Sequence, residues 1–325
     1  MPALNTLLEA VTHFASIENC HEFMIRLRWS DGVVKCPNCG SNRVQYLPNA
    51  KVYKCYEKHS RQKFSLKVGT IFEDSPLGLE KRLPSLWLIT TCKNGISLWE
   101  VHRAIGVSQK TAWFMLHRIR LAMQDEGHGG KLGGTVEVDE TYIGGKARNM
   151  HKGRKERAMG GKGGGVTGKI RVQGMLQRGG KVRATVIENS KLITLLPNVW
   201  KNVEKGSEVQ TDEAQANEVL QADYDHEVVN HAIEYVRDNA HTNGLENFWS
   251  RLKRSLHGTY VSVESYHLFR YVDEQAFRFN NRGPMRDGDR FTYVMRKIVG
   301  KRLTYAELTG KEAETAPLDA EGVIA

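Results

Sequence analysis

The stretch TVEVDETYIGG, residues 135–145, sets the tightest limit on what this chain can fold into. Val136, Val138, Tyr142 and Ile143 are strand formers, and Asp139 stands among them ahead of a double glycine. Asp is a poor strand former, and a carboxylate on a buried strand requires a partner or a metal ion. The alternation by itself also fits a surface strand, with Glu137 and Asp139 outward and Val136 and Val138 inward. Which of the two holds depends on what other acids the chain supplies.

The chain has 325 residues, room for two or three domains and a sizeable core. Its hydrophobic content of 40% and charged content of 26% are those of a soluble globular protein, and a net charge of +10 favours a polyanionic partner, nucleic acid first. No stretch reaches the roughly 20 apolar residues needed to span a bilayer. The opening MPALNTLLEAVTHFASIENC carries acids and polar residues where a secretion signal needs an unbroken apolar core. These features predict a cytoplasmic, nucleoid-associated protein with no membrane partner. The cysteines, Cys20, Cys36, Cys39, Cys55 and Cys92, are odd in number and unevenly spread, which argues against a disulfide framework.

Leu7, Leu8, Val11, Phe14 and Ile17 recur at helical spacing within residues 1–30. CPNCG, residues 36–40, then forms a knuckle whose turn aims two thiolates at one ion. Cys55 follows at ribbon distance, and His59 comes just after Lys58, where a fourth cysteine is expected. Cys36, Cys39, Cys55 and His59 make a four-ligand set without an open position, hence a structural Zn2+ site. Lys54, Lys58, Arg61, Lys63 and Lys67 crowd the second knuckle, as expected of a ribbon that touches phosphates. Residues 1–75 are thus expected to be an N-terminal helix and a zinc ribbon.

Residues 76–125 read as a helix-turn-helix domain. A helix over 77–91 is interrupted by Pro84. Leu98, Val101 and Ile105 line one face of the next helix, Gly106-Val107-Ser108 makes a tight turn with Ser108 as N-cap, and Ala112, Met115, Leu116 and Ile119 line a second helix. In such a motif the second helix enters the major groove, which puts Gln109, Lys110, Trp113, His117 and Arg118 on or near its outer side. A plain helical hairpin is the alternative.

Five glycines in residues 124–135 mark a boundary. After the opening strand, residues 144–169 hold eight Lys or Arg, one acid and nine glycines. Such a segment reads as a basic loop that orders on DNA, with Lys152, Arg154, Lys155 and Arg157 as its expected contacts. Two strands follow, Ile170–Leu176 and Val182–Glu188, joined in hairpin style, then a helix over Leu192–Val203 and a strand Glu208–Thr211 that delivers Asp212. Residues 221–235 read as a helix and strand with His226 and His231.

In HTNGLENFWSRLKRSLHGTY, residues 241–260, Leu245, Phe248, Trp249, Leu252 and Leu256 recur at helical spacing and face a core. Glu246, Ser250 and Lys253 share a neighbouring face. Asn243 with Glu246 also fits an N-cap and capping box, a purely structural use. Residues 261–282 read as a long helix with Leu268, Tyr271, Val272 and Phe279 inward, closing on Arg278, Asn280, Asn281 and Arg282 as DNA contacts or a domain cap. The domain should run over 134–300, and 310–325 reads as a disordered tail.

An Asp on a first strand, an Asp at the end of a later strand and a Glu on a following helix make a ribonuclease H-like metal site. Carboxylates there hold two divalent ions about 4 Å apart for phosphoryl transfer. Hard oxygen ligands select Mg2+ or Mn2+. The expected ligands are Asp139, Asp212 and Glu246, with Lys253 placed to contact phosphate and with Arg251 and Arg254 beside it. Asn243, His231 and His241 are second-tier candidates for the metal or phosphate shell.

VEVDETYIGG, TDEAQAN, VNHAIEYV, HTNGLENFWSRLKRSLHGTY and FRFNNR closely resemble the ISXO2-like transposase domain of the IS1595 insertion-sequence family. CPNCG, KCYEKHSRQKFSLKVGTIFEDSPL and ISLWEVHRAIGVSQKTAW resemble the zinc ribbon and helix-turn-helix that precede it. The resemblance implies an α/β multi-domain protein, with a ribonuclease H-like DDE catalytic domain behind a zinc ribbon and a helix-turn-helix. It implies a transposase that binds terminal inverted repeats, cleaves DNA and joins the 3′ hydroxyl to target DNA, as a homo-oligomer. By position, Asp139, Asp212 and Glu246 match the acidic triad and Lys253 the basic residue that follows. Members of the family vary at the third acid, some using asparagine, so Asn243 competes with Glu246 there. A non-catalytic DNA-binding regulator with a relic nuclease domain is the competing function, and a ribonuclease acting on RNA–DNA hybrids a third. The presence of all three acids favours the transposase over the first, and two separate DNA-reading modules over the second.

Overall fold

The structure, a computed structural model, describes residues 4–125, 129–144, 169–212, 218–229, 242–283 and 285–311, and for Asp212, Glu218 and Val229 the backbone alone. The chain forms two compact units. One comprises Met1–Thr91, Leu98–Ala122 and Arg286–Ala325, the other Cys92–Ser97 and Met123–Met285.

The first unit opens with α1 (Leu7–Phe14), closed at its start by a Thr6/Glu9 capping box, and α2 (Ile17–Arg28), capped by Ser16. Of the apolar residues noted at helical spacing only Phe14 is buried; Leu7, Leu8, Val11 and Ile17 remain exposed. The strands β1 (Val44–Leu47), β2 (Val52–Cys55) and β3 (Lys63–Phe64) pair antiparallel in that order to form the ribbon. α3 (Leu79–Thr91) runs through Pro84 without the expected interruption. Proline removes one internal hydrogen bond, and burial of Leu83, Leu86, Trp87 and Ile89 offsets it.

Next come α4 (Leu98–Ile105) and α5 (Gln109–Met123). Gly106 takes a positive φ at the turn between them, and the Ser108 hydroxyl accepts the Thr111 N–H at 3.2 Å as the expected N-cap.

The second unit is a three-layer α/β domain. Its strands are β4 (Thr135–Ile143), β5 (Ile170–Gln177), β6 (Val182–Ile187), β7 (Glu208–Asp212) and β8 (Asp225–Val229), in the order β6-β5-β4-β7-β8. β4, β5 and β6 form an antiparallel meander, whereas β7 runs parallel to β4, and β8 parallel to β7. Between the strands lie α6 (Leu192–Asn202) and the short α7 (Glu218–Gln221); α8 (Asn243–Ser255) and α9 (Leu268–Asn280) follow the sheet.

One face packs Val172, Leu176 and Val182 against Leu245, Phe248, Leu252 and Leu256 and against Leu268, Val272 and Phe279. The other packs Val136, Val138, Met175 and Val209 against Leu196, Val199, Leu220 and Tyr224. The long helix expected over 261–282 is shorter at its start. α8 ends in a π turn, Leu256–Tyr260, and Val261 at φ +60° breaks the chain before α9. Asn280 closes α9 onto β6, accepting from the Val182 N–H at 2.7 Å and donating to its carbonyl at 2.9 Å.

Residues 286–311 return to the first unit, so the sheet domain stops short of the expected residue 300. The reason is apolar and long-range. In α10 (Asp287–Arg296), Phe291 packs on Phe14, Phe23 and Trp87, and the Ile71 N–H donates to the Ile298 carbonyl at 3.0 Å. α11 (Tyr305–Thr309) ends at Gly310 in the left-handed region, and residues 312–325 lie outside the described residues. Among the described residues, no helix is long and apolar enough to cross a membrane.

Candidate functional site

β4 sits at the centre of the sheet and carries the first acid. Its parallel ladder with β7 pairs Thr135 with Glu208 and ends at Val138 opposite Thr211. The next residue on each strand is an acid, Asp139 and Asp212. Neighbouring strands lie about 4.8 Å apart, so their backbones bring the two acidic positions side by side where the parallel pairing ends. In open α/β sheets such carboxyl ends, where connections diverge, are where ligands bind.

The register is fixed by polar residues two positions earlier. Glu137, paired with Gln210 across the ladder, is 1% exposed, not outward on a surface strand. Burial of a carboxylate demands compensation. Arg178 Nε lies 3.6 Å from Glu137, and the same guanidinium donates to Gln210 Oε1 at 2.6 Å. Glu137 Oε2 also accepts the N–H of Leu245 at 2.9 Å, in the first turn of α8. An acid from the sheet thus takes the place of a capping side chain at that helix start, where negative charge is favoured.

The N-cap of α8 is Thr242, and Asn243 is the first helical residue. The Asn243/Glu246 capping box expected as a structural use is therefore not formed. The helix lies close on the sheet because Gly244 has no side chain: a Cβ there would stand 2.4 Å from Leu176 Cδ2 and 2.8 Å from Glu137 Oε2.

α8 so anchored brings Glu246 to the first strand. Asp139, Glu140, Thr141, Glu246, Trp249, Ser250 and Lys253 line one open cleft of about 500 Å3. Glu246, Ser250 and Lys253 are the exposed face that their spacing implies. Asn243 is exposed at the first position of the helix and is not among the lining residues. Asp139 is held at both oxygens: Oδ2 accepts from Trp249 Nε1 at 2.8 Å and Oδ1 from the Glu140 N–H at 2.7 Å. Burial pushes the Glu140 carboxyl up, Ser190 opposes the shift and the Asp139 charge adds to it. Three carboxylates and an ammonium on one cleft are the donor set that a hard divalent cation and a phosphate require.

The sequence pattern reads Glu137 only as an outward strand residue and Trp249 only as core, and it does not point to Arg178 or Gly174. A glycine in the middle of the strand IRVQGMLQ was the available signal, since strand glycines mark close approach.

The second site is in the ribbon. The ligand atoms of Cys36, Cys39, Cys55 and His59 all lie within 4.8 Å of one another. Cys36 Sγ is 3.5 Å from His59 Nε2 and Cys39 Sγ is 3.6 Å from Cys55 Sγ. A tetrahedron with metal–sulfur bonds of about 2.3 Å has edges of about 3.8 Å, so the four residues fit a structural Zn2+. Burial opposes the Cys36 thiolate, but the N–H groups of Asn38 and Cys39 outweigh it and draw the thiol down.

Other expected DNA contacts fare differently. Gln109 and Lys110 are exposed and Trp113 is half-buried at the start of α5. Lys110 lies over the Tyr305 ring at 4.5 Å, and the Trp113 and Tyr305 centroids are 6.4 Å apart. His117 and Arg118 are buried instead of outward. Arg118 donates to the carbonyls of Leu303 at 3.0 Å and Glu73 at 2.7 Å, because α5 is covered on that side by the returning C-terminal segment. Lys67 is likewise turned inward, donating to the Ser75 carbonyl at 2.6 Å, and burial pulls its ammonium below the ordinary value.

In α8, Arg254 is exposed and Arg251 donates to Asn247 Oδ1 at 2.8 Å. Arg278 is buried, ion-paired with Glu274 and bonded to the Cys92 carbonyl, a closing role. Lys152, Arg154, Lys155, Arg157, His231 and His241 lie outside the described residues.

Residues 131–280 match the ISXO2-like transposase domain, and residues 16–59 match a transposase zinc-ribbon domain. The chain is 32% identical over 102 residues to an uncharacterized transposase-like protein of Haemophilus influenzae, a match covering 31% of this chain and 82% of that protein. It is 27% identical over 255 residues to an uncharacterized protein in transposable element ISH50 of Halobacterium salinarum, covering 75% of this chain and 84% of that one. No solved structure matches at a significant level.

Proposed function

The chain belongs to the IS1595 family of transposases, and we propose that it is a DDE-type enzyme that binds insertion-sequence ends, cleaves DNA and performs strand transfer. The observation that carries this reading is the end of the β4–β7 ladder. Asp139 and Asp212 occupy its next two positions, and Glu246 lines the same cleft as Asp139. The strand order, an antiparallel meander beside two parallel strands with a helical layer on each face, supports a ribonuclease H-like domain.

In this reading Asp139, Asp212 and Glu246 are the ligands of two Mg2+ or Mn2+ ions, and Lys253 contacts a DNA phosphate near the reacting end. When bound, such ions would activate the attacking oxygen and stabilise the leaving one. Asp139 is held in orientation by Trp249 and the Glu140 N–H, so little reorganisation accompanies binding. Glu137 keeps α8, and with it Glu246 and Lys253, against β4.

The paired helices α4 and α5 act as a helix-turn-helix, with Gln109, Lys110 and Trp113 as contacts at the exposed start of α5, and the zinc ribbon binds DNA beside it. Arg251, Arg254 and the basic residues Lys152, Arg154, Lys155 and Arg157 add contacts to phosphate. Two ends must be joined together, so the active form is a homo-oligomer.

The test is strand transfer of a labelled terminal-repeat oligonucleotide in the presence of Mg2+. Wild-type protein is expected to cut and join it, and Asp139→Asn and Asp212→Asn to lose activity by a factor of 1000 or more, about 4 kcal/mol of barrier. Full activity in either variant overturns the assignment. Binding of the repeat by wild type without cutting or joining favours a DNA-binding regulator.

A further inference from the structure

We infer that Trp249 is a positioning residue for Asp139, and that Gly174 is the strand position that admits its ring. The inference rests on reading Asp139 as a metal ligand. Gly174 stands directly opposite Asp139 in the β4–β5 ladder, on the same sheet face, and among the flanking strand residues it alone carries no side chain there. The Trp249 indole fills that place. A Cβ on Gly174 would come within 2.6 Å of Trp249 Cζ2, 2.7 Å of Cη2 and 2.9 Å of Leu245 Cδ2. Such distances cannot be relieved by a flexible chain end, because a buried indole packed beside Phe248 has nowhere to rotate.

The consequence of that seat is polar. Seated against Gly174 of β5, the indole reaches across to β4 and donates Nε1–H to Asp139 Oδ2 at 2.8 Å. Indole nitrogen is a donor only, so Asp139 Oδ2 is the acceptor of this bond. The bond fixes the rotation of the carboxylate, which is the freedom a metal ligand must lose on binding. Hydrogen-bond partners of ligating carboxylates commonly contribute 10- to 100-fold in metal affinity or activity. Trp249 is 4% exposed and belongs to the core face of α8, yet it also borders the cleft with Glu246 and Lys253. One helix therefore carries the third acid and the group that orients the first.

The test measures binding of Mn2+ to the full-length protein without DNA, by loss of the free-ion electron paramagnetic resonance signal, alongside thermal unfolding. Trp249→Phe keeps an aromatic ring and deletes the donor, and is expected to weaken Mn2+ binding by about 10-fold or more. Gly174→Ala, which displaces the ring without touching its chemistry, is expected to weaken binding to a similar degree. The double variant should be no weaker than the weaker single variant within about twofold, since both act through one bond. A purely structural role would lower the melting temperature and leave the affinity of the folded protein unchanged. Mn2+ binding by both single variants within twofold of wild type overturns the inference. Asp139→Asn separates the two levels: if it binds Mn2+ like wild type, the metal-ligand reading fails as well. If it loses binding while Trp249→Phe and Gly174→Ala do not, only the positioning role fails.

Discussion

A carboxylate that is 1% exposed survives only where its charge is matched, and Glu137 is matched from two directions. Arg178 supplies the countercharge from the β5–β6 turn and the Leu245 N–H supplies a donor from α8. Arg178 is 29% exposed on its side chain, so it regains water when the partner is removed, and the cost lies mainly in the lost helix anchor and the space left behind. Glu137→Ala is therefore expected to lower stability by about 2 kcal/mol in urea denaturation. An unchanged midpoint would show that α8 is held by its apolar face alone. At this scale the sequence named Asp139, Asp212 and Glu246 from residue type and order. It could not name Glu137, since an alternating strand looks the same whether one or both of its faces are covered. Arg118 and Lys67 were misread for the opposite reason: a basic residue suggests a phosphate, and nothing local reveals that a carbonyl from a distant loop has taken it.

At the scale of elements, the apolar spacing of residues 245–256 identified α8 and its inward face correctly, and the same spacing set Glu246, Ser250 and Lys253 together on the cleft. Periodicity succeeds there because one helix face meets one core. It overextended the next helix, where the break depends on Val261 adopting a positive φ that its residue type disfavours. In the ribbon, the spacing of three cysteines and the histidine that follows them pointed to the four residues whose ligand atoms lie within 4.8 Å of one another, because the turn geometry that aims two thiolates is local. Full-length protein is expected to contain about one zinc per chain, and Cys55→Ser to lose it, as measured by metal analysis of the purified protein. Folded wild-type protein free of zinc would contradict the site. Chelation should unfold the short strands β1, β2 and β3 first, since they have little apolar area of their own to bury.

At the scale of the molecule, the first unit is closed by residues from both ends of the chain. Phe291, 1% exposed, completes an aromatic cluster with Phe14, Phe23 and Trp87. Phe291→Ala is expected to cost about 3–5 kcal/mol in that unit, read by denaturation followed at its tryptophans or by proteolysis within residues 4–91. Equal stability of variant and wild type would show that the return of the chain is incidental. No sequence pattern announced this pairing, because a contact between residue 71 and residue 298 leaves no local trace. The sheet of the second unit was more legible, since each strand carried its own signal and only their order had to be found. That order is what joins Asp139 to Asp212. Anomalous diffraction from the protein with Mn2+ and terminal-repeat DNA tests that juncture most directly. Two peaks about 4 Å apart, held by Asp139, Asp212 and Glu246, are expected. Peaks bound by other residues, or none in the cleft at saturating Mn2+, would contradict that assignment.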